Sequence, residues 1–202
     1  TRPGPVPDAA GIDKDMTGRL AGKVAIVTGA GSSAEVLGNG QATSILFAGE
    51  GASVLLVDAV VERAEETRAM IREEGGTASV SRADVTSAAD CEAMAQAAVD
   101  RYGRLDILDN NVGISVRADV TEVTEEQWDH IMAVNVKSIY FATGGTFPNM
   151  TKISDGSISY TSFTDTHLTL PHTIHTTTYT AALVITLSLP PNHVSSHILL
   201  NP

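Results

Sequence analysis

Cysteine is nearly absent, Cys91 being the single one in 202 residues. An internal disulfide is therefore impossible, and a reducing, cytoplasmic setting is the simplest home. Positive charge is also scarce. Thirteen Lys and Arg stand against 24 Asp and Glu, for a formal charge of −11. That balance argues against a nucleic-acid partner, whose phosphates need a basic face. No apolar run approaches the ~18 residues of a membrane span, and the start lacks the basic-then-apolar pattern of a signal peptide. After Lys152 there is no Lys or Arg, while five of the six His fall there among many Thr.

What is present suits one globular domain. The chain is 43% hydrophobic and 18% charged, long enough for one buried core and short for two. The opening TRPGPVPDAAGIDKD reads as a disordered extension over residues 1–15. Met16 followed by TGRLAGKVAIV reads as a natural start, giving a domain over 16–202.

From Lys23 two kinds of text alternate. VAIVT (24–28), SVLLVD (53–58), ASVSRADV (78–85) and LDILDN (105–110) are strand-like. Between them, GNGQATSILFAGEG, AVVERAEETRAMIREEG and SAADCEAMAQAAVDRYG carry helical patterning. TEEQWDHIMAVNVKSIYFATGG opens with Thr124 and Gln127 at capping-box spacing and predicts one long helix. Trp128 is expected to pack that helix. The β-α-β-α order requires a parallel sheet with helices on both faces, an α/β doubly wound fold. Beyond residue 152, GSISYTS (156–162) predicts a fifth strand, TTYTAALVITLSL (177–189) a helix weakened by β-branched residues, and HVSSHILLNP (193–202) a short sixth strand.

The stretch VTGAGSSAEVLGNGQ holds Gly29, Gly31, Gly38 and Gly40 between the first strand and first helix. Such a junction cradles phosphate through backbone N–H groups and the helix dipole, although a flexible turn would look similar. Asp58 closes the second strand 18 residues after Gly40, near the ~20 expected of an acid that binds a ribose 2′-hydroxyl. Neither Ala59 nor Val60 is basic, which favours NAD over NADP.

These residues resemble the short-chain dehydrogenase/reductase family over 22–150. Thr28-Gly29 and Gly38-Asn39-Gly40 are similar to its T-G-x-x-x-G-x-G signature, with five residues inserted. Asp84-Val85 resembles its adenine-contacting pair, Asn110-Asn111-Val112-Gly113 its N-N-A-G, and VNVKS (134–138) the segment whose Asn supports the active site. The resemblance implies a single Rossmann-type domain. It also implies NAD held by Gly29, Ser32, Gly38, Asn39, Gly40, Asp58, Asp84, Val85, Asn111, Val112 and Gly113. The implied reaction interconverts a secondary alcohol and a ketone, often in a homodimer or homotetramer.

The family's catalytic groups are a Tyr, a Lys four residues later, a Ser and an Asn. Here the resemblance implies Tyr179, Ser162 and Asn135, but position 183 is Leu and no Tyr-x-x-x-Lys occurs anywhere. Ser162 lies 17 residues before Tyr179, farther than the family usually spaces the pair. The sequence ends at HILLNP, where the family would continue into a substrate loop and a further strand. A catalytically weak NAD-binding or regulatory protein of the same fold is the second reading. His167, His172 and His175 match no strong metal pattern, and no metal site is expected. Asp109 departs from the family, and an acid at a solvated strand end is expected there, since a buried unpaired carboxylate is costly.

Overall fold

The computed structural model describes residues 18–32, 37–116, 118, 121–150, 152 and 156–160, with the backbone of 187–188. Five strands run parallel: β1 (Val24–Thr28), β2 (Ser53–Asp58), β3 (Thr77–Arg82), β4 (Ile107–Asn110) and β5 (Ser157–Tyr160). A two-residue strand β6 (Leu187–Ser188) pairs antiparallel with β5, and the order across the sheet is β3-β2-β1-β4-β5-β6. The doubly wound α/β expectation therefore holds. The helix expected over 177–189 does not hold at its end, where Leu187 pairs with Ile158 and Ser188 with Ser157. β-branched residues such as those of this stretch favour strand over helix. The strand expected over 193–202 lies outside the described residues.

Alternation along each strand sorts side chains into two layers. Ile26, Leu55, Leu108 and Ile158 pack with Cys91, Met94 and Ala98 of helix α3 (Ala88–Tyr102) and with Ala142 and Met150 of α5 (Ser138–Met150). Val27, Val54 and Leu56 face the opposite way. They pack with Ala48 of α1 (Asn39–Gly49) and with Ala64 and Ile71 of α2 (Val61–Glu73). Strands covered on both faces explain the near-continuous apolar text of VAIV and VLLV. Each fully buried Ile or Leu contributes about 1.5–3 kcal/mol, so this sandwich dominates stability. At the N-terminal edge, the buried Asp106 carboxylate accepts from the Val24 N–H at 2.9 Å and pairs with Arg104 and Lys23. That contact fixes β4 beside β1.

The long helix expected over 124–145 forms in three pieces: α4 (Glu125–Met132), a π-helical turn (Ala133–Lys137) and α5. The capping box is present, Thr124 Oγ1 accepting from the Gln127 N–H and Gln127 Oε1 from the Thr124 N–H. Trp128 is not a packing residue. It is 55% exposed, and Ile131 is the residue that α4 buries. Asp109 is also not at a solvated end. It is 4% exposed and its Oδ1 accepts from Ser159 Oγ at 2.7 Å. Burial pushes its carboxyl above the usual value, with the Ser159 hydrogen bond opposing. Cys91 is free and buried, and burial pushes its thiol up to about 11.

Candidate functional site

The β1 position between β2 and β4 makes the C-terminal end of β1 the point where connections diverge to either side. In open α/β sheets a crevice opens there. Here it is a cavity of about 530 Å³, within the size range of small-molecule sites. Gly29, Asn39 and Gly40 line its helix side. Asp58, Asp84 and Val85 line the wall from β2 and β3, and Asn111, Val112 and Gly113 close it from β4.

Gly40 is required by close approach. A Cβ there would lie 2.1 Å from the Gly29 carbonyl oxygen and 2.4 Å from Asn111 Nδ2. Gly29 itself has φ +63°, the left-handed region that favours glycine. Asn111 latches this turn from the other half of the sheet. Its Nδ2 donates to the Thr28 and Gly29 carbonyls at 3.3 and 3.2 Å, and its backbone N–H donates to Thr28 Oγ1 at 3.1 Å. Gly38 is different. Its φ is −76°, and a Cβ would come no closer than 3.4 Å to Gly31 O and 3.6 Å to Ser32. The protein leaves room at Gly38.

No side chain caps α1, and its first turn carries no acid. By contrast, Ser87 caps α3 and Thr124 caps α4. An uncapped N-terminus without a carboxylate retains its N–H groups for an anion. At the far wall, Asp58 Oδ2 accepts from the Gly31 N–H at 3.1 Å and Oδ1 from the Val60 N–H at 2.9 Å. Asp84 Oδ1 accepts from the Thr86 hydroxyl at 2.7 Å and the Thr86 N–H at 2.9 Å. Those two bonds, with Arg82 and His130 nearby, hold its carboxyl below the usual range.

Asn135 does not line the cavity. It lies in the π-helical turn, 1% exposed, and its amide clamps Ile114, Oδ1 accepting from the Ile114 N–H and Nδ2 donating to the Ile114 carbonyl, both at 2.9 Å. Ile114 lines the cavity, so Asn135 acts on the wall from behind. Single-turn π-helices often sit at functional sites. Ser162, Tyr179 and the three histidines lie outside the described residues. Of the other tyrosines, Tyr102 donates to Ser79 at 2.7 Å, Tyr160 shares a 2.8 Å bond with Thr143, and Tyr140 is 75% exposed.

Sequence reasoning missed Arg63, Arg82, Thr86, Ile114 and His130, all of which line the cavity. Arg82 carried a usable signal, since parallel register pairs it with Asp58 across β2 and β3. Arg63 carried a weaker one, its place in the first turn of the helix after Asp58.

Comparison with known proteins agrees with this geometry. The pattern of the family described as short chain dehydrogenase matches residues 23–183. An uncharacterised oxidoreductase of Thermotoga maritima is 35% identical over 181 residues, covering 89% of this chain and 69% of that protein. A 2,5-dichloro-2,5-cyclohexadiene-1,4-diol dehydrogenase of Sphingobium indicum is 39% identical over 143 residues, 71% of this chain and 55% of that one. The crystal structure of a hydroxysteroid dehydrogenase from Escherichia coli superposes with a TM-score of 0.65 at 33% identity, covering 70% of this chain and 58% of that one. The chain thus spans between about half and two-thirds of the length of these relatives. A matched span that begins at β1 and includes the whole latched glycine turn makes this chain a member of the short-chain dehydrogenase family.

Proposed function

We propose that the chain binds NAD in the cavity at the end of β1 and belongs to an enzyme that interconverts a secondary alcohol and a ketone. The observation that carries this is the convergence of three elements on one cavity. The uncapped start of α1 suits a pyrophosphate, the carboxylate at the end of β2 suits a ribose, and the Asn111 latch keeps the turn between them open. Gly38, Asn39, Ser32 and Gly29 would hold the pyrophosphate, Asp58 the adenosine ribose, Asp84 and Val85 the adenine, and Asn111, Val112 and Gly113 the remaining wall. Bound nicotinamide supplies or accepts hydride, and the protein supplies position. Relatives named for a diol and a hydroxysteroid favour an alcohol carbon as the reacting centre.

In this reading Tyr179 donates or accepts the alcohol proton, Ser162 donates a hydrogen bond to the carbonyl oxygen, and Asn135 supports the site through Ile114. No tyrosine among the described residues lines the cavity. Leu183 favours the second reading, a catalytically weak NAD-binding protein, because a tyrosine without a neighbouring cation keeps its ordinary pKa near ~10. A reducing cytoplasm suits the lone thiol, and no described helix is long and apolar enough to cross a membrane. The charge of −11 argues against a nucleic-acid partner. A second copy of the chain is the proposed macromolecular partner. Trp128, Met132, Val136 and Tyr140 recur every four residues along α4, the π-helical turn and α5, all 39% or more exposed.

The test measures NADH binding by fluorescence, then NAD reduction on simple secondary alcohols by the parent and by Tyr179→Phe. Binding with turnover that Tyr179→Phe abolishes is the expected result. Binding without turnover selects the second reading, and the absence of binding rejects both.

A further inference from the structure

One peptide plane in the glycine turn is held at both ends, by Asp58 and by Thr67, of which the cofactor reading leaves Thr67 without a role. Ala30 is 0% exposed, and its N–H donates to the Val57 carbonyl at 3.1 Å. Its carbonyl oxygen accepts from Thr67 Oγ1 at 2.8 Å, and Thr67, on α2, is itself 0% exposed. The N–H of the same plane belongs to Gly31 and donates to Asp58 Oδ2 at 3.1 Å. In a trans peptide the C=O and N–H point in opposite directions. A hydroxyl on one side and a carboxylate on the other therefore permit a single orientation.

A helical Thr ordinarily satisfies its hydroxyl on the carbonyl four residues back. Thr67 is 3.4 Å from the Arg63 carbonyl and 2.8 Å from the Ala30 carbonyl, so the shorter contact leaves the helix for the turn. Arg63 and Thr67, one helical turn apart, present one face of α2 to the loop. A Cβ on Gly31 would lie 2.4 Å from the Arg63 Cβ. Gly31 is also the last turn residue before the inserted segment and lines the cavity.

We propose that Thr67 is a positioning residue for the cofactor's pyrophosphate, acting through the Ala30–Gly31 peptide plane. A carbonyl oxygen turned toward the cavity would repel an anion, whereas N–H groups attract it. The Thr67 hydroxyl keeps the Ala30 carbonyl turned into the protein. α2 thereby contributes to anion binding without touching the ligand. This inference rests on the nicotinamide-cofactor reading of the cavity.

The test compares full-length parent, Thr67→Val and Thr67→Ser, at a temperature where circular dichroism finds each one folded. NADH is titrated by fluorescence and ADP-ribose by calorimetry, with adenosine as a ligand that lacks the pyrophosphate. Thr67→Val should weaken NADH and ADP-ribose by about tenfold, or about 1.4 kcal/mol, while Thr67→Ser stays within about twofold of the parent. Adenosine affinity should be the same in all three. A merely structural threonine would lower Tm and leave the affinities of the folded protein alone. Thr67→Val that binds NADH as the parent does, or that loses adenosine and ADP-ribose equally, overturns the inference and leaves the cofactor reading standing. A parent that binds neither NADH nor ADP-ribose overturns both. If Thr67→Val does not fold, Thr67→Ala takes its place, and equal losses in Thr67→Ala and Thr67→Ser overturn the inference.

Discussion

Asp109 and Ser159 face each other in register on β4 and β5, and the Ser159 hydroxyl donates to Asp109 Oδ1 at 2.7 Å. One hydrogen bond is all that offsets the removal of this carboxylate from water among the described contacts, and burial raises its pKa from 3.8. A raised value means that the carboxyl binds its proton more readily in the folded state than in the unfolded one. Its contribution to stability is full below 3.8 and is lost as pH rises through the folded value. Asp109→Asn should therefore raise Tm at pH 7, by about 1 kcal/mol of stability. The advantage should shrink as pH falls toward 3.8. Thermal melts at several pH values measure this, and an advantage that grows on acidification would refute it.

Cofactor selectivity is expected to turn on Asp58. Its carboxylate would accept ribose hydroxyls and repel a 2′-phosphate, so NAD should bind at least about ten times tighter than NADP, or about 1.4 kcal/mol. Arg63 and Arg82 line the same cavity. Removing the charge in Asp58→Asn should then leave a basic wall and shift the preference toward NADP. Calorimetric titration of both dinucleotides decides the point, and a parent that prefers NADP contradicts the assignment.

The two glycines before and at the start of α1 should respond differently. Gly38 has space for a side chain, so Gly38→Val should fold with parental Tm and lose NAD affinity. Gly40→Ala must move backbone at Gly29 and the Asn111 amide, at a cost of about 1–3 kcal/mol. Tm and NAD affinity measured together separate these outcomes. Full NAD affinity in Gly38→Val would mean that the inserted loop is not the cradle.

Catalysis should be limited by the residue at 183. With Leu there, alcohol oxidation should be slow near pH 7 and rise toward about pH 10, as a tyrosine of ordinary pKa requires. Leu183→Lys should move the rise to lower pH, provided that 179 and 183 lie one helical turn apart. A pH–rate profile showing strong parental activity at pH 7, insensitive to Tyr179→Phe, would identify a different acid–base group.

Self-association should depend on the exposed stripe. Tyr140→Glu and Trp128→Glu, at positions 75% and 55% exposed, should shift sedimentation toward the monomer while changing monomer stability by no more than about 0.5 kcal/mol. A parent that sediments as a monomer at every concentration removes the second copy as a partner.

Periodicity foretold the parallel sheet and its helices because two-sided burial writes itself into runs such as VLLV, and the Thr124–Gln127 capping box is a local motif. The glycine turn was readable for the same reason, its residues being close in sequence. Arg63 and Arg82 were legible only weakly, because their place in the cavity wall depends on how β3 pairs with β2 and how α2 lies over the turn. Asp109 and Trp128 were misjudged for a related reason. Whether a residue at a strand end or on a helix is covered depends on neighbours from distant segments, and no local pattern encodes them. The disruption of the long helix at Ala133–Lys137 likewise had no marker in its composition.

The Asn111 amide joins residues 82 and 83 positions away in sequence. Until β4 has docked on β1 there is no latch, and without the latch the turn has no reason to stay open. Any dinucleotide that binds there consequently reports on assembly of both halves of the sheet. At about 100 times its Kd, such a ligand adds about 2.7 kcal/mol to the folded state. The protection should reach every amide whose exchange requires the sheet to come apart, including those of α3, none of whose residues lines the cavity. A dinucleotide bound there would act as a remote brace for the core.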